Sequence, residues 1–246
     1  MDPLSQFQIK TLWTFKPFSF LDLSITNLTI SLAGLGLFVC LMGYIVASEK
    51  KLVPHKIFTV FELFYNFVAS VIKEQTHQDP RKYILFVITI FTFILLGNVL
   101  GVIPFLFAVN SQISVTTTLS LLVFFYVVFL GIKTKQMKFF KDFIPKDVPI
   151  AILPLVVVIE LISYIVRPAT LSMRLCINMM AGHIMIKAIA SMASMLPLQA
   201  TTLPAIILIC FFNVGLLCFE FLVSGLQAYI FLILTCNYIG DAINSH

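Results

Sequence analysis

Five formally charged residues interrupt the apolar stretch from Pro149 to Gly240: Glu160, Arg167, Arg174, Lys187 and Glu220. An ionisable side chain inside a membrane span costs about 2.5–3.5 kcal/mol on insertion scales, so it normally faces a bundle interior, a partner or an aqueous path. Glu160, Arg167 and Arg174 follow one another at intervals of seven, and Ser163 and Asn178 extend the series by three and four. Asn213, Glu220, Ser224 and Gln227 stand at steps of seven, four and three. On an α-helix each set shares one face. A histidine alone, such as His183, is the kind that packs or sits at an interface. Set beside a carboxylate, its imidazole can relay protons.

Folding the last two apolar tracts into an antiparallel pair brings these sets together. Opposed positions in such a hairpin have a constant sum. Arg174 with Gln227 gives 401, Asn178 with Ser224 gives 402 and His183 with Glu220 gives 403. Half of that sum places the turn near residue 201, within the short polar connection that Pro197 and Pro204 bracket. Turn chemistry and polar register thus agree on one facing array between two long helices.

The elements that must position this array follow from composition. The chain is 60% hydrophobic and 11% charged, too little charge to cover a soluble domain of 246 residues. Mean hydropathy is +1.04, long apolar stretches recur, and the period-two alternation of a membrane barrel is absent. The net charge of +5 lies in loops flanking these stretches: Lys50, Lys51 and Lys56; Lys73, Arg81 and Lys82; and Lys133, Lys135, Lys138, Lys141 and Lys146. The positive-inside rule places all three on the cytoplasmic or matrix side, so they set topology and do not mark a nucleic-acid surface. Cys40, Cys176, Cys210, Cys218 and Cys236 lie in apolar tracts without a CxxC spacing and read as small hydrophobes. No cofactor or dedicated metal site is expected; His183 with Glu220 could capture a stray Zn²⁺, but two ligands do not make such a site.

The expected fold is all-α: a polytopic membrane protein of about five to six apolar helices plus an amphipathic interfacial helix, ending in a long, steeply tilted helical hairpin. A single membrane domain over 1–246 would comprise an N-terminal segment 1–24, a first span 25–47, an amphipathic helix 54–76, a hairpin 83–132 and helices 148–240. Residues 1–24 lack arginine and the pattern of a removable targeting peptide. In 54–76, Phe58, Phe61, Phe64, Tyr65, Val68 and Ile72 recur at helical spacing, with Glu62 on the solvated face. The run from 205 to 240 would be about 54 Å long as one helix, against a hydrocarbon core of about 30 Å. It must tilt or break near Gly215 or Gly225, and the absence of a polar turn cluster at either glycine favours tilt.

Several segments carry a family resemblance. Leu171, Ser172, Met173, Arg174 and Leu175, followed by Asn178, Met179, Met180, Ala181, Gly182 and His183, resemble the signature of the F-type ATP synthase a subunit. Glu160 to Ser163 with Arg167 and Pro168, Gly97 and Asn98 with Gly101 and Pro104, and Gly225 to Phe231 fit the same family, nearly end to end. The opening Pro3, Leu4, Ser5, Gln6 and Phe7 look like its mitochondrial and alphaproteobacterial branch. Some bacterial members place a carboxylate at the position of His183 and a histidine at that of Glu220. Here the two are exchanged, which preserves the pair across the hairpin.

The resemblance implies a proton-translocating stator subunit without catalysis of its own, working beside a rotating c-ring whose carboxylates are loaded and unloaded through two offset half-channels. Further partners would be the peripheral stalk, other membrane-sector subunits and the lipid bilayer. The location would be the mitochondrial inner membrane or, alternatively, an alphaproteobacterial plasma membrane. Arg174 would be the essential charge facing the ring, with Asn178 and Gln227 orienting it. His183 and Glu220 would line one half-channel, and Glu160 with Ser163 the other. Arg167 could pair with Glu160 or with a lipid phosphate. Ser163 and Ser224 read also as helix-packing hydroxyls, Asn213 as an extension of the array, Lys187 as an interfacial anchor, and Gly97, Asn98 and Gly101 as close-packing positions. Two other classes compete. A self-contained channel or secondary transporter would show internal repeats and interrupted midplane helices, and none is found. A purely structural membrane subunit would have little need for an aligned Arg, Asn, His, Glu and Gln array.

Overall fold

In hydrocarbon every backbone N–H and C=O must be satisfied within its own segment, so the apolar tracts have to become helices. A computed structural model describes residues 11–13, 24–48, 56–103, 107–136, 153–195, 197 and 203–243. Six helices follow in order: α1 Asn27–Ser48, α2 Lys56–Thr76, α3 Ile84–Val102, α4 Ile113–Lys135, α5 Leu153–Met195 and α6 Leu203–Ile243. Five of them, all except α2, are long and apolar enough to cross a membrane. A short antiparallel ribbon precedes them, β1 Thr11–Trp13 against β2 Ile25–Thr26. Sequence reading gave no strand there, because two or three β-prone residues are too few to show a period.

Thr26 stops the ribbon and starts α1. Its hydroxyl accepts the Thr29 N–H at 3.2 Å while the Thr29 hydroxyl accepts the Thr26 N–H at 2.8 Å, a reciprocal cap that satisfies two donors. α5 is a single helix of 43 residues with Pro168 inside it. The proline removes one backbone donor, and Thr170 returns a hydroxyl to the Arg167 carbonyl at 2.9 Å in the same turn. α6 runs unbroken through Gly215 and Gly225 for 41 residues. At about 1.5 Å per residue both helices are about twice as long as the hydrocarbon core is thick, which leaves tilt as the means of containing them. The connection predicted near residue 201 lies outside the described residues, between the end of α5 at Met195 and the start of α6 at Leu203.

The chain packs as two compact units, one from 1–44, 92–112 and 175–228, the other from 45–91, 113–174 and 229–246. In the second unit α2 turns Val68, Val71 and Ile72 inward to burial. Phe64 stacks on Phe91 with ring centroids 5.3 Å apart, and Phe67 meets Tyr229 at 5.9 Å. The amphipathic helix is therefore packed on α3 and α6 along one face, while Val60, Leu63 and Tyr65 remain exposed. Gly240 allows the ends of α2 and α6 to meet: a Cβ there would lie 2.8 Å from the Gln75 carbonyl oxygen. Lys135 at the end of α4 donates to the Asp241 carbonyl at 3.2 Å, joining a third helix end to the same place.

Gly240→Leu is expected to force this junction apart at a cost of about 1–3 kcal/mol, the usual penalty of overpacking. The measurable outcome is a lower temperature of subunit loss from the detergent-solubilised protein, with Leu232→Met as a volume-conserving control.

Candidate functional site

His183 on α5 and Glu220 on α6 are 7% and 6% exposed, and the imidazole Nε2 lies 3.8 Å from the carboxylate Oε1. That is ion-pair range but longer than a direct hydrogen bond. The imidazole also bonds the Gly101 backbone. Because Nε2 has no hydrogen bond, this contact uses the other ring nitrogen and leaves Nε2 aimed at the acid. Neither oxygen of Glu220 has a hydrogen-bond partner among the described residues. Burying a carboxylate this way is costly unless water or a proton reaches it.

A cavity of about 180 Å³ lies beside it, lined by Asn178 and Gly182 of α5 and by Glu220 and Ser224 of α6, among others. At about 30 Å³ per liquid water it has space for several molecules. Gly182 keeps α5 bare where the acid lies: a Cβ there would stand 2.6 Å from Glu220 Oε1. One turn along both helices the Ser224 hydroxyl reaches Met179 Sδ at 3.5 Å. The rungs Met179–Ser224 and His183–Glu220 both have the sum 403 expected for this hairpin.

The remaining predicted residues are placed as follows. Asn178 is half-buried on the cavity wall. Gln227 is buried, and its amide nitrogen has no partner among the described residues; the same holds for the carbonyl oxygen of half-buried Asn213. Ser224 is buried, with its hydroxyl on Met179 Sδ, and it lines the cavity. Arg174 is exposed on α5 beside exposed Met173 and Ile177, and makes no hydrogen bond or ion pair with any described residue. Glu160 is half-buried and Ser163 exposed.

Arg167 has a protein partner that the sequence reading did not name: Asp241, at 3.3 Å. The guanidinium carbon lies 5.6 Å from the Tyr164 ring centroid and 5.4 Å from that of Tyr238, within cation–π range. Asp241 escaped notice because it stands one residue beyond the tract whose charges were counted, and because a long guanidinium reaches past the constant register. Sequence reasoning also missed a buried amide network. Asn98 on α3 is fully buried and donates to the Ser224 carbonyl at 3.0 Å. Asn110, in the buried turn Val109–Ser111, donates to Asn98 Oδ1 at 2.8 Å. Two asparagines in or beside apolar tracts were the available signal.

In chemical terms the first unit holds a buried acid that lines this cavity and an imidazole 3.8 Å from it, a pair able to take up and pass a proton. Arg174 presents a permanent positive charge on the exposed face of α5, without a hydrogen bond or ion pair among the described residues. Known proteins give this arrangement a context. The family model described as ATP synthase A chain matches residues 28–240. ATP synthase subunit a of Nitrobacter hamburgensis is 40% identical over 250 residues, covering 99% of this chain and 98% of that one. The subunit of the same name from Ehrlichia ruminantium is 36% identical, covering 100% and 99%, and that of Rhodopseudomonas palustris 39%, covering 99% and 98%. From a match to most of its length and relatives aligned end to end, the chain belongs to the ATP synthase A chain family.

Proposed function

We propose that this chain, as the proton-translocating stator subunit of an F-type ATP synthase, carries protons through two offset half-channels to and from the carboxylates of a rotating c-ring. The observation that carries this reading is the buried His183–Glu220 pair, 3.8 Å apart, with both acid oxygens unpartnered among the described residues at a cavity of about 180 Å³. A proton arriving through cavity water is held by Glu220, exchanged with His183 and passed on. Glu160, with Ser163, serves the opposite half-channel. Asn178 and Gln227 orient Arg174, Asn213 extends the polar lining, and Arg167 holds the end of α6 through Asp241.

Arg174 takes its role from exposure. A guanidinium among exposed, apolar Met173 and Ile177 on a membrane-spanning helix is costly, and an acidic partner in the membrane offsets that cost. Its fixed charge attracts a deprotonated ring carboxylate and favours ionisation there. The same charge opposes a proton passing directly between the half-channels. Each charge crossing 100 mV yields about 2.3 kcal/mol, and the chemistry of ATP synthesis takes place on other subunits of the complex, joined through the ring and the peripheral stalk. The alphaproteobacterial relatives support a plasma-membrane location more directly than the mitochondrial inner membrane.

Membranes containing the complete complex test this. Arg174→Ala is expected to abolish ATP-driven proton pumping while the subunit still assembles; normal coupled pumping in that variant would falsify the mechanism. Glu220→Gln, which cannot release a proton, should lower pumping by roughly tenfold or more, equivalent to a barrier raised by at least about 1.4 kcal/mol. Gly182→Val should do the same by displacing the acid it leaves room for, and wild-type rates in both would sink the relay. A transporter would instead move its substrate without any ring, and an assembly subunit would lose assembly first.

A further inference from the structure

We infer that Asn98, held in orientation by Asn110, is a positioning residue that sets where Glu220 stands along α5. The inference rests on the relay reading above and concerns geometry, since an asparagine has no proton to exchange. Asn98 and Gly101 lie three residues apart on α3, hence on one face. Asn98 grips α6 through the Ser224 carbonyl at 3.0 Å. Gly101 grips α5 twice, closing on the Met179 methyl group and bonding the His183 imidazole. One face of α3 therefore contacts both helices that carry the pair, one turn from the acid and at the imidazole itself.

The grip has a defined sense. Asn110 donates to Asn98 Oδ1 at 2.8 Å and to the Ile94 carbonyl at 3.2 Å. With its oxygen occupied by a donor, the Asn98 amide must turn its own NH₂ to Ser224, which removes the usual ambiguity of an asparagine flip. Gly97 leaves the space for this: a Cβ there would stand 2.7 Å from Asn110 Nδ2. Both asparagines are fully buried, so a lost partner would leave an unsatisfied amide with no water to replace it. A helix carbonyl has a second lone pair, and occupying that of Ser224 opposes sliding of α6 by a turn. Ser224 is four residues from Glu220, and Met179 is four from His183. A slip at the upper rung therefore carries directly into the separation of acid and imidazole.

Among the described residues, the titratable groups near Glu220 are His183 on α5 and, one turn beyond it, Lys187; α3 contributes none. The pH dependence of pumping thus reports on the acid's relation to α5. The test uses membranes with the complete complex and compares wild type, Asn98→Ala, Glu220→Asp and the double variant, with rates normalised to assembled subunit. Asn98→Ala is expected to slow pumping roughly tenfold and to move the midpoint of its pH profile by about half a pH unit. Glu220→Asp retracts the carboxylate by one methylene, and the double variant should be no slower than Glu220→Asp alone, because both changes act on one distance. An unchanged rate and profile in assembled Asn98→Ala, or effects that multiply in the double variant, would overturn the inference. If Asn98→Ala does not assemble, Asn110→Ser frees the Asn98 amide without touching α6, and the same outcomes decide. Wild-type pumping in Glu220→Gln would remove the relay reading itself, so the two failures are distinct.

Discussion

A carboxylate buried in an apolar helix pair, with neither oxygen hydrogen-bonded within the described chain, is the constraint around which the first unit is arranged. Alone it would be costly enough to be driven into its neutral form. An imidazole at 3.8 Å and a cavity able to hold water give it somewhere to send and receive a proton. The surrounding choices follow from keeping that acid close to α5 without satisfying it. A glycine opposes it, a serine one turn on packs against methionine sulfur, and an amide fixes the backbone beyond. Each is small or neutral, so none competes for the proton.

The second unit answers a different requirement, holding the far ends of long helices. At the end of α6 the charged groups have partners: Arg167 has Asp241 and two aromatic faces, and Lys135 has a carbonyl. A salt bridge with partly exposed members contributes little by itself. Supported by the bare backbone at Gly240 and by the stacked Phe64 and Phe91, it serves to specify one arrangement of helix ends.

Much of this was legible in the sequence because hydrocarbon leaves few choices. Apolar length anticipated the helices long enough to span, and a constant sum anticipated the His183–Glu220 rung. What escaped has physical reasons. Asp241 was hidden by an arginine long enough to reach beyond its register. Asn98 looked like part of a close-packing motif, since nothing local distinguishes an asparagine that fills space from one that grips a helix 126 positions away. Pro168 stands inside α5, because a helix supported on its flanks can lose one backbone bond and continue. The β1–β2 ribbon is simply too short to leave a periodic trace.

The size of the cavity beside Glu220 has a pharmacological consequence. Pockets that hold drug-sized molecules run from about 300 Å³ upward, and this one is about 180 Å³. It is smaller than those, so a ligand confined to it would be a fragment of a few heavy atoms.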